Sequence, residues 1–319
     1  MTTDDDLIGE IVQQRYVIEG VIARGGMGTV YRARHVGVGR RVAIKVLHEH
    51  LVAESSMLAR FEREAAITAR LEHENLVNVI AIGELPDQRR YIVLELARGE
   101  PLSVLLARGP LPRARMLDLL GQILRGLDHA HAAGLIHRDL KPENIVVEPA
   151  EADRPEIARI VDFGIAALRD AGDSLASVRL TDSGIVLGTP SYMAPEQALG
   201  HAIDPRVDLF ALGVIGYQMA TGTLPFDCKG IEAALANISR TIPSFAARGG
   251  AVSDAAVEGF VQRLIARRPE DRFASAGEAL EALAVIAAGP APSEAVALPV
   301  VHRRSLLATI GLRRLAKTA

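Results

Sequence analysis

The sequence predicts an α+β protein, with a strand-rich amino-terminal part followed by a mainly helical part. Between residues 15 and 95, short runs of β-branched and aromatic residues alternate with turns that contain glycine or proline. Beyond residue 100, apolar residues recur over long stretches with the spacing of amphipathic helices. A chain of 319 residues can form one domain with two lobes or two ordinary domains.

Composition excludes several classes of protein. A net charge of −3 gives no sign of a nucleic-acid-binding protein, and a hydrophobic content of 49% argues against disorder. Cys228 is the only cysteine, so an internal disulfide cannot form and a cytoplasmic location is expected. The acidic start of the chain lacks the apolar core of a signal peptide, and no apolar run is long enough for a transmembrane helix.

The first strands are predicted at Tyr16–Ile22, Val30–Ala33 and Arg41–Leu47. Residues 23–30 between the first two are rich in glycine, which can turn tightly and bring backbone N–H groups against phosphates. Ordinary hairpin turns share this composition, so the segment alone is weak evidence. Lys45 lies in the middle of the third strand, where burying an ammonium is costly unless it is paired. It therefore either lies at an exposed edge or holds an anionic group.

The longest predicted helix is Pro112–Ala133, and Gly134 is expected to end it. His129 and His131 near its end are two positions apart, so they point to different sides and are expected to be structural. Strands are also predicted at residues 75–84 and 90–95, and helices at residues 54–71, 206–222, 231–239, 253–265 and 275–288.

The chemistry is concentrated in residues 136–144, Ile-His-Arg-Asp-Leu-Lys-Pro-Glu-Asn. The Asp139 carboxylate can orient a hydroxyl nucleophile and accept its proton, and Lys141 can balance charge on a transferred phosphoryl group. Asn144 offers a neutral oxygen to a divalent metal. The chain contains neither an H-E-x-x-H zinc motif nor a G-x-x-x-x-G-K-[ST] phosphate loop, which excludes the metalloproteases and the P-loop proteins.

The run from His137 to Asn144 resembles the catalytic loop of protein kinases in its serine/threonine form. Asp162-Phe163-Gly164 resembles the magnesium-binding motif of that family, and residues 188–196 resemble its substrate-docking segment. Over roughly residues 15–284 the chain resembles the bacterial eukaryotic-like (Hanks-type) serine/threonine protein kinases.

The resemblance implies a two-lobed protein-kinase fold. The small lobe, residues 15–96, would be an antiparallel β lobe with one helix, called helix C, and the large lobe, residues 97–284, would be mainly helical. Residues 1–14 are expected to be a flexible terminus, and residues 285–319 a linker with a basic amphipathic tail. That tail is predicted either to meet an anionic membrane or its own lobe, or to remain solvated.

The resemblance also implies that ATP and Mg²⁺ bind between the lobes, with Mn²⁺ as an alternative metal. Lys45 would hold the phosphates and be held by Glu64, Asn144 and Asp162 would bind the metal, and Leu94 would be the gatekeeper before the adenine-binding backbone. The full set implied to contact the nucleotide is Ile22, Ala23, Gly25, Gly26, Gly28, Val30, Ala43, Lys45, Glu64, Leu94, Glu95 and Ala97. Ala23 replaces the first glycine of the family's loop, and its methyl group is expected to stiffen that turn.

The polar segment 165–187 is longer than an ordinary connection, which argues for a function. By its position between Asp162 and residues 194–196 it resembles the activation loop of the family. Thr181 and Ser183 are the candidates for autophosphorylation, after which Arg138 would pair with the added phosphate. The resemblance further implies three structural contacts. Glu196 would pair with Arg272, Asp208 would hydrogen-bond the backbone of the catalytic loop, and Thr189 would contact Asp139 and Lys141.

The function expected is transfer of the ATP γ-phosphoryl group to serine or threonine hydroxyls of protein substrates, with self-association for autophosphorylation between copies. Two alternatives stay open. A kinase-fold scaffold that transfers no phosphate would be expected to lack Lys45, Asp139 or Asp162, and all three are present. A small-molecule phosphotransferase on a related fold would need no ordered docking segment at residues 188–196.

Overall fold

A computed structural model of the chain describes residues 7–26, 28–49, 65–163, 190–228, 230–250, 252 and 254–289. The strands form one six-stranded antiparallel sheet and one three-stranded sheet. In the large sheet the order is β1-β2-β3-β4-β6-β5, with β1 (Ile11–Val12), β2 (Tyr16–Gly25), β3 (Gly28–His35), β4 (Arg41–Leu47), β5 (Val79–Glu84) and β6 (Arg90–Glu95). The small sheet has the order β7-β8-β9, with β7 (Glu100–Pro101), β8 (Ile145–Glu148) and β9 (Ile157–Ile160).

The period of two along the central strand β4 divides its side chains between two environments. Val42, Ile44 and Val46 pack into a core with side chains from β2, β3 and β6. The alternate residues Ala43 and Lys45 therefore face the opposite side of the sheet. On that side they line a cavity against the helical part of the chain. Strand alternation therefore places the Lys45 side chain on the cavity side of the sheet. Burial alone would not have shown this, because residues on both faces of β4 are buried.

Two early predictions need correction. Ala23 lies within β2 and pairs with Val30, so its backbone is extended and it is not part of the turn. The pairing of β2 and β3 continues up to Gly25 and Gly28, which shortens the predicted loop. Within residues 1–14, for which no strand was predicted, β1 pairs with β2 and buries Val12. A strand of two residues is too short for periodicity to indicate it.

Two helices form the centre of the helical part. One is buried along one side, and the other is buried along nearly its whole length. Helix α2 contributes Met116, Leu120 and Leu124 to the main core, and α4 is buried at almost every position because it has apolar residues on all sides. The helices that lie wholly within the described residues are α1 (Leu102–Leu106), α2 (Arg113–Ala132), α3 (Pro195–Ala198), α4 (Arg206–Thr221), α5 (Ile231–Ser239), α6 (Ala255–Leu264) and α7 (Ala276–Ala288). These bounds confirm the predicted long helices, and Gly134 and Gly222 follow α2 and α4 with φ values of 79° and 75°.

Several predictions fall outside the described residues. Of the predicted helix 54–71, residues 65–68 are helical and Glu64 is not described. Thr181, Ser183 and Thr189 are likewise outside, as are residues 290–319 of the predicted tail. The predicted linker start at residue 285 falls inside α7, which continues to Ala288. Within the described part of the chain, no helix combines the length and the apolar character that crossing a bilayer requires.

Candidate active site

A cavity of about 640 Å³ lies between the large sheet and the helical part. Its walls bring together residues that are distant in sequence, from β2, β3, β4, the segment after β6 and the loop after α2. It is lined by every predicted nucleotide, catalytic and metal residue except Glu64, namely Ile22, Ala23, Gly25, Gly26, Gly28, Val30, Ala43, Lys45, Leu94, Glu95, Ala97, Asp139, Lys141, Asn144 and Asp162. A volume of this size suits a nucleotide-sized ligand.

Lys45 and Asp162 form an ion pair inside this cavity, with Nζ 3.1 Å from Oδ1. Burial alone would raise the pKa of Asp162, but the ammonium of Lys45 outweighs it, so the pKa lies below its usual value. The carboxylate is therefore charged at neutral pH. Asp162 has a φ of 63°, which places it in the left-handed region directly before Phe163. The Phe163 ring is buried and contacts the ring of His137 edge to face, with centroids 4.8 Å apart.

The second pair of opposite charges in the cavity belongs to Asp139 and Lys141. Lys141 Nζ donates to Asp139 Oδ2 at 2.8 Å. The side-chain amide of Asn144 donates to the Asp139 carbonyl oxygen at 2.8 Å, which holds this amide beside the loop. Carboxylate and amide oxygens are the ligands that Mg²⁺ accepts alongside phosphate oxygens, so Asp162 and Asn144 fit a metal carried in with a nucleotide.

A buried carboxylate at the start of α4 holds the backbone of the catalytic loop. Asp208 accepts hydrogen bonds from the N–H groups of His137 and Arg138, both at 2.8 Å, which confirms the predicted contact. Nε2 of His131 lies 2.8 Å from Asp208, so the structural role predicted for this histidine is confirmed. Arg138 has a φ of 65°. A left-handed non-glycine residue stores strain that its surroundings must offset, so these bonds fix an otherwise unfavourable turn next to Asp139.

The state of Asp208 gives a prediction about acid stability. Burial would raise the pKa of Asp208, but the hydrogen bond and charge of His131, together with the charge and backbone N–H of His137, lower this pKa overall. Because the folded pKa lies below the unfolded value of about 3.9, this carboxylate stabilises the fold at neutral pH and that contribution is lost as the pH falls. In urea titrations, the free energy of unfolding should decline less steeply below about pH 4 in Asp208→Asn than in the wild type. Equal slopes would contradict this assignment.

The apolar end of the cavity includes residues that sequence reasoning missed. Val77, Val146 and Val161 line it together with Val30 and Leu94. Alternation along β8 was a usable signal for one of them, because Ile145 and Val147 are buried in the core while Val146 faces the other way. Apolar side chains on both walls create a slot in which a flat aromatic base could stack.

Glu95 joins the two sides of the cavity through its side chain. Its carboxylate lies 3.2 Å from Arg40 before β4 and 3.1 Å from Arg159 on β9. Its backbone N–H donates to the Asn78 carbonyl oxygen at 2.9 Å, so this amide is already used inside the sheet lobe. Leu96 and Ala97, which line the cavity, therefore follow a residue, Glu95, that is held by contacts on both sides of the cavity.

Backbone packing explains the glycine at position 28 independently of phosphate binding. A Cβ atom at this position would overlap the carbonyl group of Val46 on the neighbouring strand β4. Glycine here therefore permits the close approach of two backbones at the mouth of the cavity.

Ala23→Gly is expected to have little effect on nucleotide binding, since Ala23 occupies a paired strand position rather than a turn. We expect the Kd of ATP to change by less than about threefold, and the free energy of unfolding to fall by about 0.5–1 kcal/mol because glycine in a strand costs conformational entropy. Titration calorimetry and urea denaturation measure the two effects. A tenfold tighter Kd would show that the methyl group obstructs the site.

Behind the cavity, Glu196 and Arg272 form the predicted ion pair. Nη1 and Nη2 of the guanidinium donate to the two carboxylate oxygens at 2.6 and 2.8 Å, and both side chains are buried. This confirms the predicted pairing and ties the docking segment to the loop before α7. Asn237 on α5 holds the same segment, because its amide donates to the carbonyl oxygens of Ser191 and Met193.

Known proteins resemble the chain over most of its length. The family described as "Protein kinase domain" matches residues 16–283. The serine/threonine-protein kinase pkn3 of Myxococcus xanthus is 40% identical over 275 residues, which are 85% of this chain and 50% of that protein. Pkn1 of the same organism is 43% identical over 265 residues, covering 83% of this chain and 37% of that protein. The chain therefore spans half or less of the length of these two curated relatives.

A solved structure supports the same assignment. The crystal structure of the Mycobacterium tuberculosis PknI kinase domain superposes with a TM-score of 0.66 at 26% identity, covering 88% of this chain and 99% of that chain. The predicted two-lobed protein-kinase fold is thereby confirmed. The chain belongs to the protein kinase family, within its bacterial eukaryotic-like (Hanks-type) serine/threonine branch.

Proposed function

We propose that this chain transfers the γ-phosphoryl group of ATP to serine and threonine hydroxyls of proteins. The observation that carries the proposal is one cavity containing two ion pairs, Lys45 with Asp162 and Lys141 with Asp139. A phosphoryl transferase needs cations for the phosphates, an anion for the metal and a carboxylate for the attacking hydroxyl. Each requirement has a residue on the walls of this cavity.

In the proposed reaction, the substrate hydroxyl donates a hydrogen bond to the Asp139 carboxylate, which orients the oxygen toward the γ-phosphorus and accepts its proton. The hydroxyl oxygen forms a bond to the γ-phosphorus while the bond from the γ-phosphorus to the bridging oxygen breaks, and ADP leaves with that oxygen. Lys45 and Lys141 balance charge on the phosphate oxygens. Mg²⁺, held by Asp162 and Asn144, would neutralise the phosphates further, and Mn²⁺ is a plausible substitute.

Two alternative functions are less well supported. A scaffold without activity has no need for two charged pairs directed into one cavity, since burying and pairing such groups carries a desolvation cost. A small-molecule phosphotransferase has no need for a docking segment anchored by Arg272 and Asn237, and residues 190–196 are anchored in this way. The first observation favours catalysis, and the second favours a protein substrate.

The test is incubation of the chain with γ-labelled ATP, Mg²⁺ and a generic serine- and threonine-containing protein such as casein, followed by phosphoamino-acid analysis. We expect labelled phosphoserine or phosphothreonine with the wild-type chain, and a rate of labelling about 10²–10⁴-fold lower with Asp139→Asn. Labelling near the wild-type rate with Asp139→Asn would mean that another group orients the hydroxyl. The absence of transfer by the wild type, with ATP still bound, would favour the scaffold.

Further parts of the proposal concern regulation and organisation. Thr181 and Ser183 are proposed sites of autophosphorylation between associated copies. Residues 289–319, which follow the end of α7, are proposed as a linker and a basic tail that contacts an anionic membrane, contacts its own lobe or stays solvated. The kinase domain is proposed to span residues 15–284, divided at residues 96 and 97. The single cysteine supports action in a reducing compartment such as the cytoplasm.

A further inference from the structure

Gln197 connects the docking segment to the catalytic loop through one side chain. Its Nε2 donates to the carbonyl oxygen of Arg138 at 2.9 Å. Its Oε1 accepts from the backbone N–H of Ala194 at 3.1 Å, which fixes the amide at the start of α3. Both polar ends of the side chain are therefore engaged, each with a different segment of the chain.

The carbonyl that Gln197 holds belongs to a strained residue. Arg138 has a φ of 65°, and its N–H is already fixed by Asp208 at 2.8 Å. The Arg138 carbonyl group belongs to the peptide that joins Arg138 to Asp139. With Asp208 on one side and Gln197 on the other, the backbone on both sides of the Arg138 Cα atom is held in place. A side chain that follows this peptide directly inherits its orientation.

We propose that Gln197 is a positioning residue, which fixes the direction of the Asp139 carboxylate by holding the Arg138–Asp139 peptide from the docking segment. This inference rests on the proposed function. It also implies that the docking segment and the catalytic loop move as one unit, since Glu196, the residue before Gln197, is anchored by Arg272. A substrate bound on that segment would therefore meet a base whose position is set by the same segment.

The chemistry requires an amide at this position. A carboxylate can accept from Ala194 but cannot donate to the Arg138 carbonyl, so two oxygens would face each other where a hydrogen bond now stands. A methionine of similar length can do neither. Only glutamine retains both bonds, because it carries an acceptor and a donor on one planar group.

The experiment compares Gln197→Glu and Gln197→Met with the wild type in steady-state transfer to casein, with ATP affinity measured by titration calorimetry. We expect kcat to fall by about 10–100-fold, because misplacing a catalytic group by an ångström has effects of that size. The KM and Kd for ATP should stay within about twofold, since Gln197 lies outside the cavity lining. The ratio of the Gln197→Glu kcat to the wild-type kcat should rise as the pH falls from about 8 to about 6, because a protonated carboxyl group can donate to the carbonyl.

Gln262→Glu is the matched control. Gln262 is exposed on α6, where its amide donates to Glu258. Its substitution by glutamate makes the same change of charge in the same lobe. This variant should keep the wild-type kcat. A wild-type kcat in both Gln197 variants would overturn the inference. Loss of ATP binding or of cooperative unfolding in both variants would overturn it as well, because such a loss would show that the residue is merely structural. An inactive wild-type chain would instead contradict the proposed function.

Discussion

Asp139→Asn is expected to lower kcat for protein phosphorylation by roughly 10²–10⁴-fold, the range found when a general base is removed. Asparagine preserves the shape of the side chain and can still meet Lys141, but it cannot accept the proton of the substrate hydroxyl. In the proposed reaction Asp139 contacts the substrate hydroxyl and not the nucleotide. The Kd for ATP should therefore stay within a factor of about two of the wild-type value.

Rates with labelled ATP and calorimetric titrations with ATP separate these two quantities. Asp153→Asn provides a matched control, because Asp153 is exposed in the turn between β8 and β9 and the substitution is chemically the same. Its kcat should equal that of the wild type. A drop of less than about tenfold in Asp139→Asn would mean that another group orients the hydroxyl.

Arg272→Ala is expected to lower the free energy of unfolding by about 3–5 kcal/mol, because it leaves the buried Glu196 carboxylate without its cation. The side chain of Arg272 also donates to the carbonyl oxygens of Ala266, Arg206 and Arg267, all of which would lose a partner. The guanidinium thus holds together the docking segment, the start of α4 and the loop before α7. Urea denaturation followed by circular dichroism measures the loss.

The control for this prediction is an ion pair at the surface that has the same two-bond geometry. Arg108 meets Glu100 with two bonds of 2.7 and 2.6 Å, but its side chain is 62% exposed. Arg108→Ala should cost less than about 1 kcal/mol, because water replaces the lost partner and screens the pair. Similar costs for the two substitutions would show that burial of the Glu196–Arg272 pair does not determine its contribution.

The predictions that succeeded from sequence depended on local pattern and on motifs. Helices such as α2 and α5 have clear apolar spacing, so their bounds agree with the structure within a residue or two. The resemblance correctly predicted long-range pairs such as Glu196 with Arg272, because the family's motifs specify partners that no periodicity reveals.

The contacts that the sequence did not predict depend on three-dimensional approach. The pairing of Lys45 with Asp162 requires β4 and the loop after β9 to meet, and neither segment contains a sign of the other. Gln197 belongs to the Ala-Pro-Glu-Gln ending that resembles the bacterial branch of the family, but its contact with the Arg138 carbonyl is visible only in the folded chain. The role of Gly28 likewise depends on how closely β3 and β4 pack.

Titration calorimetry of ATP, with and without Mg²⁺, tests most directly whether Lys45 and Asp162 act on one nucleotide. For the wild type we predict that Mg²⁺ tightens ATP binding. Asp162→Asn should lose this dependence on the metal, and Lys45→Met should weaken ATP binding whether or not Mg²⁺ is present. Wild-type affinities in both variants, under both conditions, would show that the two charged residues do not meet the same ligand and would contradict the assignment of this cavity.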